Sequence, residues 1–199
     1  MDKFFNSTFD ALTNVVPGSM VIASLILFDS SLLTIDDIIT KLNKIELGSA
    51  ALLVFVSYVI GFAISPLGKF IYQKIGFKLW PMKATIGNSE LSISDKFVLV
   101  RQFSQNNFKY IESWNMFCAL AHNLAISSLV LLFASIFRIT MIDNSNPIIF
   151  ISLSVISIIL FLLFLKRAVI FRIWAINDLN ATVDRLELLG ELKIRSKEI

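Results

Sequence analysis

Pro147 to Leu165 reads PIIFISLSVISIILFLLFL, 19 residues without a charge. A helix rises about 1.5 Å per residue, so this run covers roughly 28 Å, close to the hydrocarbon thickness of a bilayer. Pro147 stands at its start, where a missing N–H costs little. The rest of the chain fits the same class. Of 199 residues, 56% are hydrophobic and only 17% charged, and the mean hydropathy is +0.75. Globular chains spread such apolar content along amphipathic elements; here it is gathered into long uncharged runs.

Three more runs are candidate spans. Met116 to Phe137, bounded by Glu112 and Arg138, has His122 and Asn123 as its polar members. Leu47 to Ile64 precedes Ser65-Pro66-Leu67-Gly68, whose chemistry predicts a helix end there. Val15 to Phe28 is the weakest: reaching spanning length from Leu12 to Leu33 takes in Asn14 and Asp29. It lacks the basic start and small-residue cleavage site of a signal peptide, so it reads as an uncleaved anchor. A re-entrant or interfacial helix is the alternative.

Basic residues collect unevenly. Residues 65–115 carry seven Lys and Arg, and the tail from Lys166 carries seven more. The connection 29–46 has two, and 138–146 has one. Four spans alternate these as inside and outside, which places both termini in the cytosol. The expected organisation is residues 1–64 as the first two spans with a short external connection, 65–115 as a cytosolic interfacial segment and helical extension, 116–165 as the third and fourth spans, and 166–199 as a cytosolic C-terminal helix. The fold class is therefore an all-α integral membrane protein of about four transmembrane helices, the third and fourth extended into a cytosolic helical bundle.

In the first of these basic stretches, Phe70 to Trp80 reads FIYQKIGFKLW, which suits a segment in the headgroup layer with Tyr72 and Trp80 as interfacial anchors. Ser92 and Asp95 have capping-box spacing. No Pro or Gly follows until Pro147, so the third span is expected to be one helix starting near Ile93. Beyond Lys166, Ile176, Leu179, Val183 and Leu186 recur at spacings of 3, 4 and 3. Such a stripe needs a partner. The candidates are the third helix's extension (Phe97, Val100, Phe103, Phe108, Ile111, Trp114), a second copy of the chain, or another protein.

No residue pattern points to catalysis, a cofactor or a metal. The chain has one His and one Cys, which excludes a multi-histidine or multi-cysteine site within one subunit. His122 and Asn123 read either as a helix–helix hydrogen bond or as a pore or proton-path feature. Ser57, Gly61 and Ser65 have the small-xxx-small spacing that lets helices approach closely. A net charge of +3 and a tail of seven basic and five acidic residues fit anionic lipid better than direct nucleic-acid binding.

Val16-Pro17-Gly18-Ser19, Ser57-Tyr58-Val59-Ile60-Gly61 and the run Phe108 to Asn115 leading into His122-Asn123 carry a resemblance in plan. The chain resembles the small four-span membrane subunits of bacterial antiphage systems, nearest in plan to the KwaA components of Kiwa systems. That resemblance implies a bacterial inner-membrane homo-oligomer, with a tetramer favoured, that senses membrane disturbance and signals to a cytosolic protein partner. The alternative it implies is an oligomeric channel or membrane-disrupting effector.

Overall fold

The structure, a computed structural model, describes residues 2–28, 40, 47–87, 90–141 and 147–195. Regular structure among them is entirely helical: α1 (Asp2–Ile26), α2 (Leu47–Ile71), α3 (Ile93–Phe103), α4 (Gln105–Met141) and α5 (Pro147–Arg195). The connections 29–46 (residue 40 apart) and 142–146, which carry part of the charge asymmetry, lie outside the described residues. Three stretches are long and apolar enough to cross a membrane: Gly48–Leu79, Gln105–Met141 and Pro147–Glu187. Ala11–Ile26 is a shorter apolar helix.

Helix α4 is the hub, packing against each of the other four helices. Helix α1 runs parallel to it. The Phe9 ring meets Phe117 edge-on at 5.0 Å, Asn123 donates to the Thr13 carbonyl, Ser127 to the Pro17 carbonyl, and Arg138 to the Leu27 carbonyl. The two helices thus stay in step from Phe9 to Leu27, about 27 Å along the axis.

Helix α2 runs antiparallel to α1 and nearly touches its backbone. A Cβ on Gly18 would stand 1.8 Å from the Ser57 carbonyl oxygen, and one on Gly61 would stand 1.9 Å from that of Asn14. Only hydrogen fits at either position, so these two glycines set the crossing. Close approach gains dispersion contact that lipid cannot supply, since lipid tails are as apolar as the side chains.

Helix α5 returns antiparallel to α4 through three apolar clusters. Phe150 packs with Leu27 and Ala134 at one end. Leu165, Ala168 and Val169 pack with Tyr72, Cys118, Ala121 and Ala125 further along. Leu179 and Val183 pack with Val100 and Ile111 beyond that. At 49 residues, α5 is roughly 70 Å long, more than twice a bilayer's hydrocarbon core.

Local sequence signals misplace three features. Helix α2 passes through Ser65-Pro66 and continues by a π-helical turn, Tyr72–Gly76, to Leu79. Pro66 removes one helical N–H, but ending the helix in apolar surroundings would strand several backbone groups. The third span's helix does not begin at Ile93 and run unbroken. Ser92 caps α3 by accepting the Asp95 N–H, and the chain then breaks at Ser104.

Ser104 serves both sides of that break. Its N–H closes α3 on the Val100 carbonyl, and its carbonyl receives Phe108 N–H. Its hydroxyl accepts from Asn107. Ser and Asn favour such local bonds over a continuing helix. The break folds α3 back so that Phe97 meets Phe108 edge-on at 6.5 Å, contacts a straight helix would hold far apart.

Tyr72 is the third correction. It is 4% exposed and packed inside the helix cluster, not anchored among headgroups.

Gly61→Leu should drive α1 off α2, at a cost of about 3 kcal/mol. The expected result is a lowered melting temperature in mild detergent. Ala63→Leu, on the exposed face of the same helix, should melt like the wild type.

Candidate functional site

Several polar groups inside the helical packing have specific partners, although Asn123 Oδ1 and His122 Nδ1 are buried without a hydrogen bond among the described residues. Pro17 lies within α1 and has no N–H, so the carbonyl four residues back, that of Thr13, loses its helical donor. Asn123 Nδ2 supplies one at 3.1 Å in a buried position. One turn on, Ser127 Oγ donates to the Pro17 carbonyl at 2.8 Å. At the far end, Arg138, 1% exposed, donates from Nη1 to the Leu27 carbonyl at 3.2 Å. Its guanidinium also lies 5.6 Å from the Phe150 ring centroid. A cation at a helix C-terminus is favoured by the aligned peptide dipoles. Three α4 side chains thereby satisfy three α1 carbonyls along one seam.

His122, the chain's one histidine, is buried beside this seam. Its ring stacks on Tyr72 with centroids 5.3 Å apart and planes 4° apart. A Cβ on Gly68 would stand 2.7 Å from His122 Nδ1, so a glycine on α2 makes room for the imidazole. Of the small-residue triplet, Ser57 and Gly61 face α1, while Ser65 is only partly buried. Asn123 therefore has the role of a helix–helix hydrogen bond.

Lys69, Lys166 and Arg167 are exposed. They adjoin Gly68, which meets His122, and Leu165 and Ala168, which cluster with Ala121. They form a basic belt level with His122. The 16 residues from His122 to Arg138 rise about 24 Å.

Beyond the belt the extensions are joined by polar contacts as well as the apolar cluster. Arg172 Nη1 donates to Asn115 Oδ1 at 2.9 Å, and Trp114 Nε1 donates to Asp178 Oδ2 at 2.9 Å. Segment 81–87 is strapped across α5: the Thr85 N–H donates to Asn177 Oδ1, and its carbonyl accepts from Asn180 Nδ2. Buried Lys96 donates to Asn180 Oδ1. Around them, Leu179 and Val183 are fully buried against Val100 and Ile111, with Leu186 packed beside them. Ile176 is partly buried. The stripe expected to seek a partner is thus largely covered by the chain's own α3 and α4. Phe103, expected on that face, is 69% exposed instead. Trp80 packs at the edge of the Tyr72 cluster.

Ser127, Arg138, Asn177 and Asn180 escape notice in the sequence, because single polar residues in or beside an apolar run look alike whatever they bond. Pro17 was the available signal, since a proline within an apolar run strands a carbonyl that needs a donor. Among the described residues, no group of three or more His, Cys, Asp or Glu converges as a metal site would.

Among the described residues the regular structure is thus all helical, with three helices long and apolar enough to cross a membrane. Compared with family models, curated proteins and solved structures, the chain matches none.

Asn123→Leu should leave the Thr13 carbonyl buried without its donor, at a cost of about 1–2 kcal/mol. Adding Pro17→Ala returns a helical N–H to that carbonyl, so the double variant should regain most of the loss. Denaturation in mixed detergent micelles measures both. A double variant no more stable than Asn123→Leu alone would remove the basis for the bond's role.

Proposed function

We propose that this chain is a non-enzymatic membrane protein that couples the state of the bilayer to a helical bundle outside it. The supporting observation is mechanical continuity. Helices α4 and α5 each run without a break from an apolar stretch into the bundle. There they are held together by Trp114–Asp178, Arg172–Asn115 and the Val100–Leu179–Val183 cluster. A membrane helix tilts when the bilayer thins or thickens. A rigid continuous helix carries that tilt to its far end.

In this reading α1 is a fourth span. It keeps step with α4 over about 27 Å, so where α4 crosses the hydrocarbon layer α1 crosses beside it. The basic belt lies at the cytosolic boundary, and the bundle and both termini lie in the cytosol. Large apolar side chains stand exposed on α2, among them Leu52, Val54, Phe55 and Phe62. They face lipid or a second copy in a homo-oligomer. The likeness in plan to antiphage membrane subunits supplies the biological setting: a bacterial inner-membrane sensor that signals to a cytosolic protein.

Spin labels at Val98 and Ala181, both exposed, test the coupling in a Cys118→Ser background. In lipid discs of short-chain and long-chain lipid, the distance between them should differ for the wild-type bundle. Leu179→Asp with Val183→Asp should insert normally but abolish the difference. Identical distances in wild type would contradict coupling. A steady ion conductance in liposomes would replace the sensor with a channel.

A further inference from the structure

Outside the basic belt, α4 and α5 form an aromatic recess. A cleft of about 410 Å³ is lined by Tyr110, Trp114, Trp174, Asn177 and Asp178. Tyr110 stands edge-on to Trp114, centroids 5.3 Å apart and planes at 75°. Trp174 does the same from α5, at 4.8 Å and 72°. Phe171 stacks on Trp114 at 5.8 Å and 17°, backing the shared ring. Three rings set at steep angles therefore meet at one recess, whose polar side is formed by Asn177 and the Asp178 carboxylate.

We propose that this recess binds an organic ammonium group, carried by a lipid headgroup or by a soluble compound. Aromatic faces attract a cation within about 6 Å of the ring centroid, and boxes of such rings recognise quaternary ammonium groups such as choline. An aromatic belt that merely anchors helices at the interface needs rings alone. The carboxylate among them is the additional feature. Asp178 receives the Trp114 N–H, and no cation of the chain pairs with it among the described residues.

The architecture holds the recess open. Asn177 is fixed by the Thr85 N–H. The Arg172–Asn115 bond ties the two helices next to the shared Trp114. Trp174 and Tyr110 are 41% and 57% exposed, so the recess opens outward.

Its depth bears on the source of the ammonium. Trp174 is seven residues beyond Arg167 of the belt, about 10 Å along α5. The headgroup layer reaches roughly 5–8 Å beyond the hydrocarbon. Asp178, eleven residues beyond Arg167, stands about 16 Å along α5 and Tyr110 about 18 Å along α4 from His122, so only the Trp174 edge of the recess comes near that layer. The lipid source rests on the membrane placement proposed above; the ammonium site itself does not.

The test uses the full-length protein in uncharged maltoside detergent, with Trp80→Phe so that Trp114 and Trp174 alone report. Choline chloride, titrated at constant ionic strength against sodium chloride, should change the fluorescence saturably. Asp178→Asn keeps an oxygen for the Trp114 N–H but removes the charge, and should weaken binding by about tenfold or more. Tyr110→Leu, at an exposed ring, should weaken it too, with melting unchanged in both variants. A non-saturable response, or variants that bind like wild type, would overturn the site whatever the chain's place in the membrane.

The source is then read in lipid discs. Suppression of choline binding by phosphatidylcholine mixed with phosphatidylglycerol, relative to phosphatidylglycerol alone, would assign the site to a headgroup. Equal saturable binding in both discs would overturn the headgroup and assign the site to a soluble ammonium compound.

Discussion

The Thr13 carbonyl is a buried acceptor whose helical donor Pro17 has removed, and Asn123 of α4 occupies the vacancy. In water such a carbonyl would find a solvent partner. In an apolar interior it needs one from the protein, because an unsatisfied backbone group costs far more than a bond gains. The requirement ties α1 to one place on α4. Ser127 and Arg138 extend the tie to Pro17 and Leu27 in the same register. With α1 placed, Gly18 and Gly61 bring α2 to within van der Waals contact of its backbone.

The other half of the molecule depends on α4 as well, by another kind of contact. Between the basic belt and the break at Ser104, α4 presents Ile111, Trp114 and Asn115 to α5 and α3. In the placement proposed above this part lies outside lipid, where water restores the hydrophobic effect, and an apolar core forms around Val100, Leu179 and Val183. The polar strap from Thr85 to Asn177 and Asn180 lies over the same turns of α5. One helix thus carries two regimes of packing. Its apolar part is held by close approach and rare hydrogen bonds, and its extension by burial. A displacement at one level has a rigid path to the other.

Much of this was legible in the sequence. Long uncharged runs give three membrane-length helices because no water-soluble fold needs them. The spacing of Leu179 and Val183 marks a buried face, and Ser92 with Asp95 marks a helix start. The misreadings have a common cause. Pro66 breaks helices where water can take the freed groups, and the rule weakens in apolar surroundings. Ser104 is an ordinary residue until Asn107 bonds its hydroxyl, so the absence of Pro and Gly was not enough to keep one helix straight. Tyr72 has the composition of an interfacial anchor. Its inward stack on His122 depends on Gly68 and a π-helical turn that no local pattern announces. The seam itself is a relation between residues about 110 positions apart, which periodicity within one helix cannot reveal.

Parallel alignment of α1 with α4 is the claim on which the four-span account stands. Pulsed dipolar spectroscopy tests it with labels at exposed positions, Leu12 or Leu25 on α1 paired with Ile136 on α4, in a Cys118→Ser background. Leu12 and Leu25 are separated by about 20 Å along a helix. The account predicts a short Leu25–Ile136 distance, and a Leu12–Ile136 distance longer by about 15–20 Å. Equal distances, or a shorter one from Leu12, would contradict it.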